Sequence, residues 1–234
     1  MTGFTGTDVL AVFVKDPRPG TVKSRLAAVI GAEAAAAVYR VMAEEVVQRT
    51  APRRDEYERV IVFDPPEAGG AVGDWLGVEA ATLMPQSPGD IGVRMERAFD
   101  ALFQRGARRV VLIGTDVPAL AFEDVRGALE SLDGHDVTIG PATDGGYYLI
   151  ALKRPQPELF REMRWSIGDV LARTLDRAAG RDLSVRVLRT IGDVDTVEDL
   201  QAEWERVRLL LDEQTREGIE KTAAWKQRTI DRRD

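Results

Sequence analysis

Residues 8–26, Asp8-Val9-Leu10-Ala11-Val12-Phe13-Val14-Lys15-Asp16-Pro17-Arg18-Pro19-Gly20-Thr21-Val22-Lys23-Ser24-Arg25-Leu26, decide the fold class. The apolar run 9–14 reads as a strand buried on both faces, as in a parallel sheet. Residues 15–20 break it, because Pro17, Pro19 and Gly20 neither continue a strand nor open a helix cleanly. A helix starts within 21–26. Strand, cationic loop and helix start together form a pocket for phosphates: backbone N–H groups at a helix start attract anions, and Lys23 and Arg25 add full charges. Taken alone, the residues fit an ordinary strand–helix connection with solvated lysines equally well. The spacing is neither a Walker A nor a GxGxxG pattern.

Outward from this unit, strands and helices alternate. An alanine-rich helix spans 33–50, with Val38, Met42 and Val46 on one stripe. Strands are expected at 59–63, 79–83, 109–113, 136–140, 147–152 and 184–188, with helices over 67–76, 90–104, 122–132, 157–162 and 167–179. Asp90 is placed to cap its helix, and Thr196 with Asp199 forms a capping-box pattern. Val197, Leu200, Trp204, Val207 and Leu211 give the following helix an apolar stripe. Such alternation predicts one α/β domain over 1–211: a mixed, mostly parallel sheet with helices on both faces, Rossmann-like in its layering. Residues 212–234 carry six acids and six bases and read as a charged helix or tail. Trp225 and Ile230 can dock it on the body or on a second copy of the chain, a homodimer.

A net charge of −7 over 234 residues argues against nucleic-acid binding, so any phosphate site is a local basic pocket in an acidic body. With no cysteine, thiolate catalysis and Cys-ligated zinc are excluded. The single histidine, His135, beside Gly134 and Asp136, reads as a turn residue and makes His-based metal sites and Ser–His–Asp triads poor candidates. No apolar run approaches the roughly 20 residues of a membrane span, and the N-terminus lacks a basic segment followed by an apolar one. We therefore expect a cytoplasmic protein with no membrane partner.

In open α/β sheets, ligands lie outside the carboxyl ends of the strands. Three acidic loops fall there: Asp116 after strand 109–113, Asp144 after strand 136–140, and Asp193 with Asp195 after strand 184–188. Carboxylates converging on a cationic loop suggest a divalent cation bridging them to phosphate oxygens, and Mg²⁺ takes one or two carboxylates plus substrate phosphates. Each acid also has a structural reading. Asp116 fits a turn before Pro118, and Asp195 fits the negative charge favoured just before a helix start. Asp144 fits a turn with Gly145-Gly146, glycines that either permit positive φ or let a ligand approach. Trp165 fits core packing as well as stacking on a base or sugar.

Six motifs, in order, resemble a bacterial family of glycosyltransferase-like proteins labelled radical-SAM/selenodomain-associated transferases. They are residues 14–26; Gln86 with Gly89-Asp90-Ile91-Gly92-Val93-Arg94-Met95; Gly114-Thr115-Asp116-Val117-Pro118-Ala119-Leu120; Asp144-Gly145-Gly146-Tyr147-Tyr148-Leu149; Met163-Arg164-Trp165-Ser166; and Asp193-Val194-Asp195-Thr196-Val197-Glu198-Asp199-Leu200. The resemblance covers residues 8 to about 205. In addition, Lys23-Ser24-Arg25-Leu26 resembles guanylyltransferases acting on phospholactate or related phosphoacids. The Asp193–Leu200 stretch is similar to molybdenum-cofactor and sugar-acid nucleotidyltransferases. All of these resemble the GT-A-type nucleotide-diphosphosugar transferase fold.

What the resemblance implies is a Mg²⁺ (or Mn²⁺) transferase with a nucleotide donor, nucleotidyl transfer ranking ahead of glycosyl transfer. Asp116 and Asp195 would share the metal. Lys15, Pro19, Gly20, Lys23 and Arg25 would form the donor-phosphate loop, with Lys23, Arg25 and Asp116 catalytic. Gln86, Gly89 and Asp90 would lie near the base or ribose, and Asp144, Gly145, Gly146 and Trp165 on the side of a small-molecule acceptor. The glycosyltransferase alternative makes Asp144 a candidate base, and a further alternative is a non-catalytic nucleotide-binding protein. The chain departs from the pattern at Ile167, where Thr would follow Trp-Ser. It also lacks Asp-x-Asp at Asp116, flanked by Gly114 and Pro118, and the Gly-rich form of the first loop.

Overall fold

β1 (Asp8–Lys15) sends alternate side chains to opposite faces, and residues 9–14 are all buried, so its apolar run faces two cores. Leu10, Val12 and Val14 enter one, and Val9, Ala11 and Phe13 the other. The computed structural model describes residues 3–54, 56–165, 168–223 and 225. Ser166, Ile167, Ile230 and the remainder of 226–234 lie outside the described residues.

After β1 come α1 (Ser24–Ile30), α2 (Ala32–Arg49), β2 (Glu58–Asp64), α3 (Gly69–Leu76), β3 (Leu83–Pro85), α4 (Ile91–Gln104), β4 (Arg109–Ile113) and α5 (Phe122–Ser131). The chain continues through β5 (Val137–Pro141), β6 (Tyr147–Leu152), α6 (Val170–Ala179), β7 (Val185–Val187), α7 (Val197–Ala202), α8 (Trp204–Val207) and α9 (Glu213–Glu220). One seven-stranded sheet runs in the order β3-β2-β1-β4-β6-β5-β7. Every neighbouring pair is parallel except the two that involve β6, which is antiparallel to both β4 and β5. The expected mixed, mostly parallel α/β sheet is therefore observed. Strand order reverses between β1 and β4, since β1 pairs with β2 on its other side, and in open α/β sheets the ligand crevice lies outside the carboxyl ends of the strands at such a point.

Helices cover both faces. α5 supplies Phe122, Val125, Ala128 and Leu129 to one core, and α4 supplies Met95, Ala98, Phe99 and Leu102 to the other. Truncating the fully buried Phe99 to alanine would cost about 3–5 kcal/mol. A third cluster joins Leu26, Val38 and Met42 to Val197, Leu200, Trp204, Val207, Leu211, Ile219 and Trp225. The rings of Trp204 and Trp225 lie 4.4 Å apart, so Trp225 docks the C-terminal segment on the body of the chain. Among the described residues no helix is long and apolar enough to cross a membrane.

Several boundaries differ from the sequence reading. The strand expected at 79–83 is a 3₁₀ turn over Ala80–Thr82, and pairing with β2 begins at Leu83. The helix expected at 157–162 is a 3₁₀ turn, Pro157–Leu159, and the one expected from 167 begins at Val170. The apolar stripe from Val197 is carried by two short helices, α7 and α8, separated at Glu203. Asp90 caps α4 as expected: its Oδ1 accepts from the Val93 N–H at 2.9 Å. The capping box of Thr196 and Asp199 also forms.

At the opposite end of the sheet from the crevice, Asp136 ties β5 to β7. Its carboxylate accepts from the Ser184 hydroxyl (2.8 Å) and N–H (3.0 Å) and faces Lys153 at 3.2 Å. The Ser184 hydrogen bonds, followed by Lys153, hold its pKa down at about 2. A pKa below the unfolded value of roughly 3.9 means stabilisation that is full above that pH and lost as pH falls towards about 2. Asp136→Asn should thus lower the denaturant midpoint near neutral pH but converge with the parent in acid. Parallel midpoint curves across that window would remove Asp136 as a source of acid sensitivity.

Candidate functional site

The crevice is built from loops that follow β1, β4 and β7. After β1 the chain turns through Arg18 N–H to Asp16 O (2.8 Å) and Thr21 N–H to Arg18 O (3.1 Å), with Gly20 at φ +81°. Pro19 and Gly20 are exposed on this turn, and Lys15 is exposed at its start. Lys23 then adopts left-handed backbone, φ 49° and ψ 49°, as the residue that caps α1. That conformation costs a non-glycine residue about 1 kcal/mol or more and is held only where surroundings over-determine it. It explains why the helix begins at Ser24 rather than at Thr21.

The surroundings are two carboxylates. Lys23 Nζ lies 2.6 Å from Asp116 Oδ1 and 3.1 Å from Asp195 Oδ1, and its side chain is 3% exposed. Burial opposes the ammonium charge, but Asp116 and then Asp195 outweigh it and hold the Lys23 pKa above the usual lysine value. Asp116 and Asp195 themselves are 48% and 44% exposed, so each presents carboxylate surface to the crevice. Arg25 Nη1 approaches Asp195 Oδ2 at 3.8 Å. Backbone bonds keep the loops in register: Val194 N–H donates to Asp116 O (2.9 Å), and Asp199 Oδ2 accepts from the N–H groups of Asp195 (3.1 Å) and Thr196 (2.8 Å).

Tyr39 is a positioning residue that sequence reasoning missed. From α2 its buried hydroxyl accepts the Lys15 N–H at 2.7 Å and lies 3.2 Å from Thr115 Oγ1, joining the ends of β1 and β4. Burial, then the Asp116 charge, pushes its pKa up, so the phenol stays neutral. The available signal was a tyrosine on the buried stripe of an alanine-rich helix, because a buried Tyr hydroxyl requires a partner.

On the β2 side, Gln86 is buried and its amide donates to Val62 O at 2.9 Å, while its Oε1 accepts from Arg94 Nη1 at 3.1 Å. Arg94 also reaches Gly89 O (2.9 Å) and Asp64 Oδ2 (3.1 Å). The expected nucleotide-side residues Gln86, Gly89 and Asp90 are thus gathered by Arg94. A cation in the first turn of a helix opposes the helix dipole, and that was the signal that Arg94 has acidic or carbonyl partners.

On the other side, Asp144 Oδ1 accepts the Gly146 N–H at 2.8 Å, the turn reading of that residue. Asp193 receives Thr143 Oγ1 at 3.4 Å, and burial first, then the Asp144 charge, raises its pKa. Gly145, at φ +87°, backs onto protein rather than open crevice: a Cβ there would lie 2.1 Å from Gly168 O. Trp165 packs over Gly92 in the first turn of α4, where a Cβ would lie 2.5 Å from the indole. Trp165 is therefore packed against the first turn of α4.

Among the described residues no group of three or more His, Cys, Asp or Glu side chains is placed to hold a metal ion. Asp116 and Asp195 form a pair, and the pair already shares one cation, the Lys23 ammonium. Two half-exposed carboxylates are a donor set that suits Mg²⁺ or Mn²⁺ when substrate phosphates complete the shell. The residues fit such an ion.

Residues 47–167 match the family model described as an uncharacterized protein conserved in bacteria, DUF2064. A solved structure of a candidate nucleotide-diphospho-sugar transferase from Desulfovibrio desulfuricans G20 is 32% identical, with TM-score 0.80 over 97% of this chain and 96% of its own. The chain belongs to the DUF2064 family. No curated protein matches this DUF2064 chain. Its fold is shared with CMP:2-keto-3-deoxy-manno-octonic acid synthetase complexed with CTP (TM-score 0.56, 14% identity, 88% of this chain and 100% of that one). It is shared also with Rv0371c of Mycobacterium tuberculosis H37Rv in complex with manganese (TM-score 0.52, 14% identity, 86% and 99%). The DUF2064 chain therefore has the nucleotidyltransferase, GT-A-like fold.

Proposed function

We propose that the chain is a Mg²⁺- or Mn²⁺-dependent nucleotidyltransferase that joins a nucleoside triphosphate to a small phosphorylated or hydroxyl acceptor. One observation carries this reading: Lys23, Asp116 and Asp195 converge where strand order reverses at the carboxyl ends of β1 and β4. The CTP held by one structural neighbour and the manganese held by another support it. The resemblance of the six motifs to the transferases labelled radical-SAM/selenodomain-associated supports the same reading.

Asp116 and Asp195 would hold the divalent ion, which when bound neutralises charge on the donor phosphates. Lys15, Lys23 and Arg25 hold and orient those phosphates. Arg94 fixes the Gln86–Asp90 loop against which the base and ribose lie. An acceptor oxygen attacks the α-phosphorus in line; the new P–O bond forms as the bond to the bridging oxygen breaks, and pyrophosphate leaves with that electron pair. Positioning and charge neutralisation supply most of the rate, and a phosphate acceptor, already ionised, needs no base. This accords with an Asp144 carboxylate engaged in its own turn.

A glycosyl-transfer reading draws on the D. desulfuricans relative, described as a candidate nucleotide-diphospho-sugar transferase. The test is product analysis with nucleoside triphosphates or nucleotide sugars, a panel of phosphorylated acceptors, and Mg²⁺. Pyrophosphate release that requires both acceptor and metal is the expected result. Release of nucleoside diphosphate instead establishes glycosyl transfer. Binding without either product makes the chain a nucleotide-binding protein, and absence of any thermal shift with all donors removes the donor site.

A further inference from the structure

Lys23 is asked to do two things that its position does not allow together. As a donor-phosphate ligand it must present its ammonium to the crevice, yet its side chain is 3% exposed and lies between Asp116 and Asp195. The same two carboxylates are the pair that fits a divalent ion. Ammonium and ion therefore compete for Asp116 Oδ1 and Asp195 Oδ1.

We propose that Lys23 is an exchangeable stand-in for the metal. In the metal-free protein its ammonium holds the two carboxylates together against their mutual repulsion; binding of a divalent ion releases it to the crevice, where it becomes the donor-phosphate cation. This rests on the metal–phosphate reading above and adds to it an order of events, metal before nucleotide. Three observations support the exchange. Lys23, Arg25, Asp116 and Asp195 together are neutral, Asp193 adds a further carboxylate two residues from Asp195, and a divalent ion in place of the ammonium balances both carboxylates of the pair by itself. Both carboxylates are nearly half exposed, so an ion reaches them from solvent without opening the core. Lys23 also sits in left-handed backbone, a strained conformation of the kind that clusters at ligand clamps and switches.

The chain has five lysines, Lys15, Lys23, Lys153, Lys221 and Lys226, which makes amine labelling simple to map. We would treat the 234-residue chain with formaldehyde and cyanoborohydride, with and without Mn²⁺, and read methylation at each lysine by peptide mass spectrometry. Mn²⁺ binding would be followed in the same samples by loss of the free-ion electron paramagnetic resonance signal. The expected result is Lys23 protected without Mn²⁺ and labelled severalfold faster when Mn²⁺ is bound, with exposed Lys15 unchanged. Bound Mn²⁺ with Lys23 still protected overturns the exchange while leaving the metal reading intact. Absence of Mn²⁺ binding without nucleotide overturns the exchange and its metal-first order, and absence of binding with a nucleoside triphosphate present as well overturns the metal reading. Lys23→Met gives an opposite-sign check: Mn²⁺ binds about tenfold tighter because a competing unit charge is gone, while nucleoside triphosphate binds more weakly. Weaker Mn²⁺ binding in a folded variant overturns the exchange. Should that variant not fold, labelling of the parent protein decides alone.

Discussion

Asp116→Asn is expected to lower turnover by about a hundred- to a thousandfold while moving the melting temperature by only a few degrees. The separation follows from where the residue sits. Its backbone does the structural work, accepting the Val194 N–H and so linking the β4 and β7 loops, and that bond survives the substitution. Its side chain is 48% exposed, and Asp195 remains paired with the buried Lys23 ammonium, so the substitution leaves no buried charge without a partner. Asparagine keeps the shape but loses the charge that, on the proposed function, gathers a cation beside the donor phosphates. The check is kcat at saturating Mg²⁺ beside a thermal melt of the same preparation. Full turnover in the variant would remove Asp116 from the machinery.

Gly145→Ala is expected to do the reverse, acting on the fold first. Its φ of +87° disfavours a Cβ, and the added atom would lie 2.1 Å from Gly168 O and 2.6 Å from Gly168 C, neither of which is a flexible side-chain end. The turn must move, and with it the Gly145 carbonyl that accepts from Leu171 N–H at the start of α6 (2.9 Å). Destabilisation of about 3 kcal/mol follows, a loss of roughly 6–12 °C in melting temperature for a chain of this size. Gly114→Ala is the comparison: a Cβ there meets nothing within 4 Å, its φ is not positive, and its melting temperature should stay close to the parent. Equal melting temperatures for the two variants would contradict this account of the 142–146 turn.

The layered sheet was legible because its signals are local. The run 9–14 announced a doubly buried strand, and the capping residues Asp90 and Thr196 marked two helix starts to within a residue. The short edge elements were not legible, since β3 gains its strand character from pairing with β2 rather than from its three residues. At the site, the sequence pointed to Lys23, Asp116 and Asp195, and these side chains meet. It could not say that Lys23 is buried between the acids, because that depends on a contact across 172 residues of chain. Gly145 shows the same limit from the other direction: Gly-Gly reads equally as room for a ligand or for backbone, and only Gly168 decides. Tyr39 and Arg94 were missed because each lies on a helix whose pattern accounts for it as an ordinary surface or core residue.

The Tyr39 hydroxyl fixes a length. By bonding the backbone at Lys15 and meeting Thr115, it sets the gap between the ends of β1 and β4 from α2. On the nucleotidyl-transfer proposal, loops on either rim can then change in sequence, and with them the choice of base or acceptor, while the distance a phosphate chain must bridge stays the same. On that proposal selectivity belongs to the loops and reach belongs to α2.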